Sequence, residues 1–163
     1  MKGIFSVLVE NKDGVLSSIA GLFARRGFNI DSLAVGETDN HEISSMTIVS
    51  TGDQRTIDQI EKQLNKKVDV IKVRRLSEAR SISLEMMLVK VSCTASTRSS
   101  LIELCQITGA KIMKVSPKYL LLEYHADPEG VEDFISLIKG YGILEIQRTG
   151  AIAMEKTDRK SVV

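Results

Sequence analysis

Two asparagines and a glycine in the segment ENKDGVLSSIAGLFARRGFNIDSL have residue types and a spacing that could hold a small ligand. Asn11 and Gly14 precede an amphipathic helical pattern, and Asn29 follows the glycine that ends it. At a helix start, several backbone N–H groups lack partners and the helix dipole adds partial positive charge. A carboxylate is a natural ligand for such groups. Because Gly14 has no side chain, the amides of Val15 and Leu16 could approach a carboxylate closely.

The remaining parts of such a site suit an amino acid. The amide of Asn29 can accept a hydrogen bond from an ammonium group or donate one to a carboxylate. Ile30 adjoins it, and the nearby apolar residues that could complete a pocket are Leu8, Leu33 and Val35. The alternative is structural, because Asn-x-x-Gly before a helix is a common turn and Asn29 can satisfy its own backbone. From the local sequence alone, the structural explanation is the more frequent one.

Residues for metal binding or catalysis are sparse elsewhere. His41 and His125 lie far apart in the chain, and the only cysteines are Cys93 and Cys105. A zinc site needs about three or four such ligands, so no metal site is predicted. No Gly-rich phosphate loop or nucleophile motif occurs, so no catalytic residue is predicted.

The composition narrows the function classes further. Hydrophobic residues make up 43% and charged residues 26% of the 163 residues, which is ordinary for a soluble globular protein. A net charge of +1 and an aromatic content of 4% argue against a nucleic-acid partner. No apolar run reaches the roughly 18 residues of a membrane span, and the N-terminus does not have a signal-peptide pattern. Two cysteines fit a reducing compartment, so we expect a cytoplasmic protein; an organelle stays open if a targeting peptide was removed.

Apolar periodicity predicts the same series of elements twice, in the order βαββαβ. The predicted strands cover residues 3–9, 28–38, 43–51, 68–76, 85–95, 110–116, 119–126 and 142–154. The predicted helices begin at Gly14, at the N-cap Asp53, at residue 96 and at the N-cap Asp127.

This order is that of the ferredoxin-like unit, so the predicted fold class is α+β with two tandem ferredoxin-like domains. Residues 1–76 form the first domain and residues 77–83 the linker. Residues 84–163 form the second domain, which ends in a frayed polar tail, EKTDRKSVV.

The segment SVLVENKDGVLSSIAGLFARRGFNIDSLAVGETD resembles the opening of the small, regulatory subunits of acetolactate synthase (acetohydroxyacid synthase). MTIVSTGDQRTIDQIEKQLNKKVDVIKV, EMMLVKV and GILEIQRTGAIAM continue the resemblance over nearly the whole chain. It is strongest over residues 4–75 and weaker over residues 95–140, where LCQITGAKIMKVSPKY departs from the family pattern.

The resemblance implies that the first domain is an ACT domain, which dimerises with the ACT domain of a second copy. It implies a catalytic partner subunit that carries thiamine diphosphate, a divalent metal (Mg) and flavin (FAD), with no cofactor in this chain. It also implies that the chain activates this partner and confers feedback inhibition by a branched-chain amino acid, usually valine.

The family's valine contacts carry over onto Asn11, Gly14 and Asn29, with Val15, Leu16 and Ile30 as neighbours. The resemblance implies that the Gly14 loop of one subunit faces the Asn29 region of the other. Two alternatives remain: a free-standing ACT amino-acid sensor with a different partner, and a small ferredoxin-like enzyme. The absence of a convergent acid, base or nucleophile set argues against the enzyme.

Overall fold

The computed structural model describes residues 1–157 and confirms the predicted fold class. Strands and helices follow the order βαββαβ twice, and each series forms an antiparallel sheet with two helices. Contacts divide the chain into two units. The first comprises Met1–Ser83 and the stretch from Ala151 onward, and the second comprises Leu84–Gly150.

The first unit is built on a four-stranded sheet in the order β2-β3-β1-β4. Its elements are β1 (Lys2–Glu10), α1 (Val15–Arg26), β2 (Ser32–Glu37), β3 (Ile43–Thr51), α2 (Gln54–Asn65) and β4 (Val70–Leu76). β2 and β4 are the edge strands, so β2 presents one row of backbone groups that no strand of this sheet pairs.

The second unit repeats the plan, with the strand order β6-β7-β5-β8. Its elements are β5 (Ser81–Ser92, which starts in the first unit), α3 (Arg98–Thr108), β6 (Lys111–Val115), β7 (Tyr119–Ala126), α4 (Pro128–Ile138) and β8 (Ile143–Arg148). A final strand, β9 (Ile152–Glu155), pairs with β5.

Local sequence signals fix the helix ends as predicted. The carboxylates of Asp53 and Asp127 cap α2 and α4, accepting hydrogen bonds from the N–H groups of Thr56 and Gly130, both at 2.7 Å. The cap hydrogen bond to Thr56 lowers the pKa of Asp53 below its ordinary value. Gly27 ends α1 in the left-handed conformation that only glycine adopts cheaply, with φ of 66°.

Each unit has its own core between its sheet and its helices. In the first unit, the apolar side chains of α1 pack against alternate residues of β1 and β3, and all of these side chains are nearly inaccessible to solvent. The buried residues are Val15, Ile19, Leu22 and Phe23 of α1, Phe5 and Val7 of β1, and Met46 and Ile48 of β3. In the second unit, Phe134 of α4 stacks on Tyr124 of β7, with ring centroids 4.2 Å apart. These two buried layers hold the loops at the strand ends in place.

The prediction for the C-terminal strand was wrong. Residues 142–154 do not form one strand, because Gly150, with φ of 79°, turns the chain between β8 and β9. β9 belongs to the first unit, where Ala151 packs on Ile4, Val49 and Leu76, on the sheet face opposite the helices. The second unit therefore ends at Gly150, whereas the sequence had predicted that it includes the residues from 151 onward.

Two further element boundaries differ from the prediction. The segment 77–83, predicted as the linker, holds one 3₁₀ turn, Glu78–Arg80, and the start of β5. The predicted frayed tail begins at residue 155, but Glu155 is the last residue of β9, and residues 158–163 lie outside the described part of the chain.

Candidate functional site

The β1–α1 loop leaves the start of α1 open. Gly14 is the N-cap residue, with φ of 83°, and no side chain caps the helix. A Cβ at Gly14 would meet no heavy atom within 4 Å, and the first turn carries no acidic residue. The free backbone N–H groups and the helix dipole therefore face a space that can accept an anionic group.

Val15 and Leu16 contribute to this opening in different ways. The Val15 side chain is buried in the first core, so only its backbone can reach a ligand. Its N–H makes a long contact of 3.5 Å with the carbonyl oxygen of Lys12. Leu16 is 47% exposed and presents an apolar side chain beside the opening.

Asn11 is held by the hairpin that joins β2 and β3. Its backbone N–H donates to the carbonyl oxygen of Glu42 at 2.8 Å. Its Nδ2 donates to Oε1 of Glu37 at 3.1 Å and to the carbonyl oxygen of His41 at 2.8 Å. Sequence reasoning missed Glu37 and His41, because only the β2–β3 hairpin brings these residues next to the β1–α1 loop.

Lys12 ties the same loop to the first residues after α2. Its Nζ lies 2.6 Å from Glu10 Oε2 and 2.7 Å from Asp69 Oδ1. Hydrogen bonds to Asp69 and then to Glu10 raise the pKa of Lys12 above its ordinary value. Because this pair is exposed, it orders the loop more than it stabilises the fold.

The sequence predicted a strand over residues 28–38, but β2 begins only at Ser32, so Asn29 precedes the strand. It lies in the four-residue segment between Gly27 and Ser32, the first residue of β2. Its Nδ2 donates to Oδ1 of Asp31, and its carbonyl oxygen accepts a hydrogen bond from Oγ of Ser50 at 2.5 Å. The Oδ1 atom of Asn29 takes part in neither contact and stays available to a ligand. The adjacent Ile30 is partly buried and packs against the first core.

Within one chain, the two halves of the candidate site are far apart. Asn11 bonds to Glu42 just before β3, whereas Asn29 bonds to Ser50 near the other end of β3. The eight residue steps from Glu42 to Ser50 span about 27 Å at about 3.4 Å per step. A free amino acid is no longer than about one extended residue, roughly 3.5 Å, between its backbone groups. A single chain therefore cannot contact one amino acid with both asparagines.

The predicted apolar pocket is also divided. Leu33 and Val35 of β2 lie on the helix side of the sheet, opposite Ile48 and Met46 of β3. Leu8 lies on the other side, because it pairs with Ser45 and alternates with the buried Val7. Leu8 was therefore wrongly included in the pocket. Val35 is 46% exposed and remains a candidate contact.

The described residues 1–157 contain neither a metal-binding cluster nor an exposed thiol. These residues contain no group of three or more His, Cys, Asp or Glu side chains that could hold a metal ion. Cys93 and Cys105 are unbridged and buried, and burial raises the pKa of the Cys105 thiol. Over the same residues, no helix is both long and apolar enough to cross a membrane.

Comparison with known proteins identifies a family for both units. A family model described as "AHAS small subunit-like ACT domain" matches residues 5–72, and one described as "Small subunit of acetolactate synthase" matches residues 84–157. A probable acetolactate synthase small subunit of Methanothermobacter thermautotrophicus is 46% identical over 96% of this chain and 94% of its own. The acetolactate synthase small subunit of Mycolicibacterium smegmatis is 43% identical over 94% of this chain and 91% of its own.

A solved structure extends the similarity to three dimensions. The crystal structure of the acetolactate synthase small subunit from Thermotoga maritima matches with a TM-score of 0.89 and 38% identity. The match covers 97% of this chain and 99% of that chain, so both units share the fold of that protein.

Proposed function

The chain belongs to the family of acetolactate synthase small subunits, and we propose that it is a non-catalytic regulatory subunit of that enzyme. It binds a separate catalytic subunit, raises the activity of that subunit, and makes it sensitive to feedback inhibition by valine or another branched-chain amino acid. Thiamine diphosphate, magnesium and FAD belong to the catalytic partner, and the complex works in the cytoplasm.

The observation that carries the proposal is the placement of the two half-sites at opposite ends of an edge strand. Asn29 lies just before β2 begins, and Glu37, which binds Asn11, is the last residue of β2. β2 is the edge strand of the first sheet, so it is available to pair with another chain. Antiparallel pairing of β2 with β2 of a second copy lays the start of one strand against the end of the other. Asn29 of one copy then approaches the Asn11–Gly14 loop of its partner.

Such a dimer forms two equivalent sites, because a two-fold interface uses the same surface of both copies. In each site, the ligand's carboxylate binds the backbone amides at the start of α1, beyond Gly14. Asn29 of the other copy contacts the second polar group of the ligand. The aliphatic side chain lies among apolar residues, for which the exposed Leu16 and the partly buried Ile30 are candidates.

Inhibition requires valine to bind the non-activating arrangement of the complex more tightly than the activating one. A typical coupling of about 1–3 kcal/mol between the two sites changes the balance by about 5–150-fold. Because coupling of binding is reciprocal, the catalytic subunit also changes the affinity of this chain for valine.

The test is reconstitution of the purified chain with the catalytic subunit of acetolactate synthase. We expect the chain alone to form no acetolactate, the mixture to exceed the rate of the catalytic subunit alone, and valine, leucine or isoleucine to reduce that rate. Acetolactate formation by the chain alone would mean that it is an enzyme. Amino-acid binding without any effect on the catalytic subunit would instead identify a free-standing ACT sensor.

A further inference from the structure

The contacts of Asn11 fix the direction in which its amide points. Its Nδ2 donates both hydrogens, one to Glu37 Oε1 at 3.1 Å and one to the His41 carbonyl oxygen at 2.8 Å. An ionised carboxylate and a carbonyl only accept hydrogen bonds. The flipped amide would place Oδ1 of Asn11 against two acceptors, so the neighbours determine the orientation. Oδ1 is therefore the polar atom that Asn11 leaves for a ligand.

Glu37 is itself held in place. Its other oxygen, Oε2, lies 2.8 Å from Nδ1 of His41, and its backbone pairs with Ser44 at the end of the β2–β3 ladder. The backbone N–H of Asn11 also bonds to this hairpin, at Glu42. The hairpin therefore positions both the backbone and the side chain of Asn11.

We propose that Glu37 is a positioning residue that makes Asn11 an acceptor for the α-ammonium group of the ligand, so that the site takes an α-amino acid and rejects the 2-oxo acid with the same carbon skeleton. This inference rests on the proposed function, since it concerns the same site. An ammonium group donates hydrogen bonds to Oδ1, whereas an oxo group only accepts them and would face another acceptor. Sites built to hydrogen-bond a ligand group reject analogues that lack it by about 10⁴-fold in favourable cases.

An α-amino acid and its 2-oxo acid differ only in the substituent on the α-carbon, so a site that binds one of them must recognise that substituent. An α-amino acid and its 2-oxo acid share the carboxylate and the aliphatic side chain, and transamination interconverts them. The start of α1 and the apolar contacts cannot tell them apart, because both contacts are the same for each ligand. Only a group that reads the α-substituent can do so, and the fixed Oδ1 of Asn11 is such a group.

The experiment is calorimetric titration of the full chain with valine and, separately, with 3-methyl-2-oxobutanoate. For the wild type, we expect valine to bind at least about 100-fold more tightly than the 2-oxo acid. Glu37→Ala removes one of the two acceptors that oppose the flipped Asn11 amide, so the flip becomes less costly. We therefore expect valine to bind about tenfold more weakly and the 2-oxo acid more tightly, so that the ratio falls.

Two matched variants separate positioning from charge. Glu37→Gln keeps an oxygen that can accept from Asn11, so it should restore most of the wild-type ratio. Asp39→Ala removes one negative charge from the same hairpin turn at an exposed position, and it should leave the ratio unchanged. A merely structural role of Glu37 would weaken both ligands together and would not change the ratio.

The outcomes distinguish this inference from the proposed function. If Glu37→Ala keeps the wild-type ratio, or if the wild type binds both ligands equally, the role of Glu37 is wrong while valine binding stands. Equal wild-type binding overturns the role of Glu37 without any variant, and if the Glu37→Ala chain fails to fold, Glu37→Leu with the Glu37→Gln comparison provides the second test. If the wild type, with or without the catalytic subunit, binds no branched-chain amino acid, the proposed function and this inference both fail.

Discussion

The β1–α1 loop and the β5–α3 loop occupy the same place in two copies of one fold, but their polar groups are arranged differently. In the first unit, Gly14 adopts a left-handed conformation and no side chain caps the helix. In the second unit, Thr94 N–H donates to Thr97 Oγ1 at 2.9 Å, and Ser96 Oγ lies 2.9 Å from Thr94 Oγ1. No side chain caps α3 either, so the two loops differ in the residue before the helix: a left-handed glycine in the first unit, and Thr97 in a right-handed conformation within a cluster of hydroxyl groups in the second.

The segments between the first helix and the following strand also differ between the two units. Gly27 and Gly109 both end a helix in the left-handed conformation. After Gly27, four residues that include Asn29 precede β2, whereas β6 begins two residues after Gly109. The second unit therefore has no room for a counterpart of Asn29. The same fold thus carries a candidate site in one unit only, because the site depends on loop residues and not on the sheet.

The largest expected effect comes from Gly14→Asp. The new carboxylate would stand where the ligand's carboxylate binds, and two like charges about 4 Å apart repel by about 4 kcal/mol at an effective dielectric constant near 20. We expect the half-inhibitory valine concentration to rise more than about 100-fold, with activation of the catalytic subunit retained.

Gly109→Asp is the matched control for this change. Gly109 has a similar φ of 79°, and a Cβ there also meets open space, so the backbone strain is comparable. Valine inhibition should not change in this variant. Equal loss of inhibition in both variants would show that backbone strain, and not the site, is responsible.

Arg148→Met tests whether the second unit has a structural role. Glu85 is buried, and Arg148 binds both of its oxygens, with Nε 2.5 Å from Oε1. Because Arg148 is one-third exposed, we expect a loss of about 2 kcal/mol, less than the 3–5 kcal/mol of a fully buried pair. Urea unfolding followed by tyrosine fluorescence reports this unit alone, since Tyr119, Tyr124 and Tyr141 all lie in it.

The control for Arg148→Met is Arg75→Met in the first unit, where the side chain of the partner Asp58 is 44% exposed and the cost should stay below about 1 kcal/mol. Because the first unit contains no tyrosine, this cost is read from urea unfolding followed by far-UV circular dichroism. Neither variant should change the half-inhibitory valine concentration. If Arg148→Met abolishes inhibition in a chain that remains folded, the second unit takes part in the response and the comparison between the units is wrong.

Asn29→Ala should have a smaller effect than Gly14→Asp. It removes one hydrogen bond to a charged ligand group, so we expect valine to inhibit about tenfold more weakly. The backbone contact with Ser50 Oγ remains, and activation should persist. Asn65→Ala, which removes an exposed amide at the end of α2, serves as the control. Complete loss of association with the catalytic subunit would contradict the assigned role of Asn29.

The smallest effect concerns the cap of α4. Asp127→Ala should destabilise the second unit by about 1 kcal/mol, because Gly130 N–H loses its acceptor. Ser99→Ala, an exposed change in the first turn of α3, should cost less than about 0.5 kcal/mol. The difference is read from the urea midpoint of tyrosine fluorescence. Equal midpoints would mean that the Asp127 cap contributes nothing.

Sequence alone predicted the features that depend on near neighbours in the chain. The caps at Asp53 and Asp127 and the helix end at Gly27 follow from side-chain and backbone chemistry within about four residues. Contacts between distant segments were not predictable in this way. The binding of Asn11 by Glu37 depends on the β2–β3 hairpin, and the packing of Ala151 on a face of the first sheet depends on contacts with Ile4, Val49 and Leu76.

The candidate site also shows that contacts between distant segments cannot be predicted from local sequence. Its residue types were visible in the sequence, but local chemistry favoured an ordinary turn, and only the family resemblance favoured a site. Only the three-dimensional structure shows that Asn11 and Asn29 lie at opposite ends of β3. In the proposed site, a second copy supplies Asn29, because one chain holds Asn11 and Asn29 at opposite ends of β3.

The most direct test of this division is complementation between two defective chains. Gly14→Asp and Asn29→Ala chains are unfolded together, refolded as a mixture, and titrated with valine by calorimetry. In a mixed dimer, both changes fall in one site and the other site is intact. We therefore expect high-affinity binding at about a quarter of all sites in a random mixture, although neither variant alone binds tightly. If the mixture binds no better than the separate variants, each chain forms its site alone and the central claim is wrong.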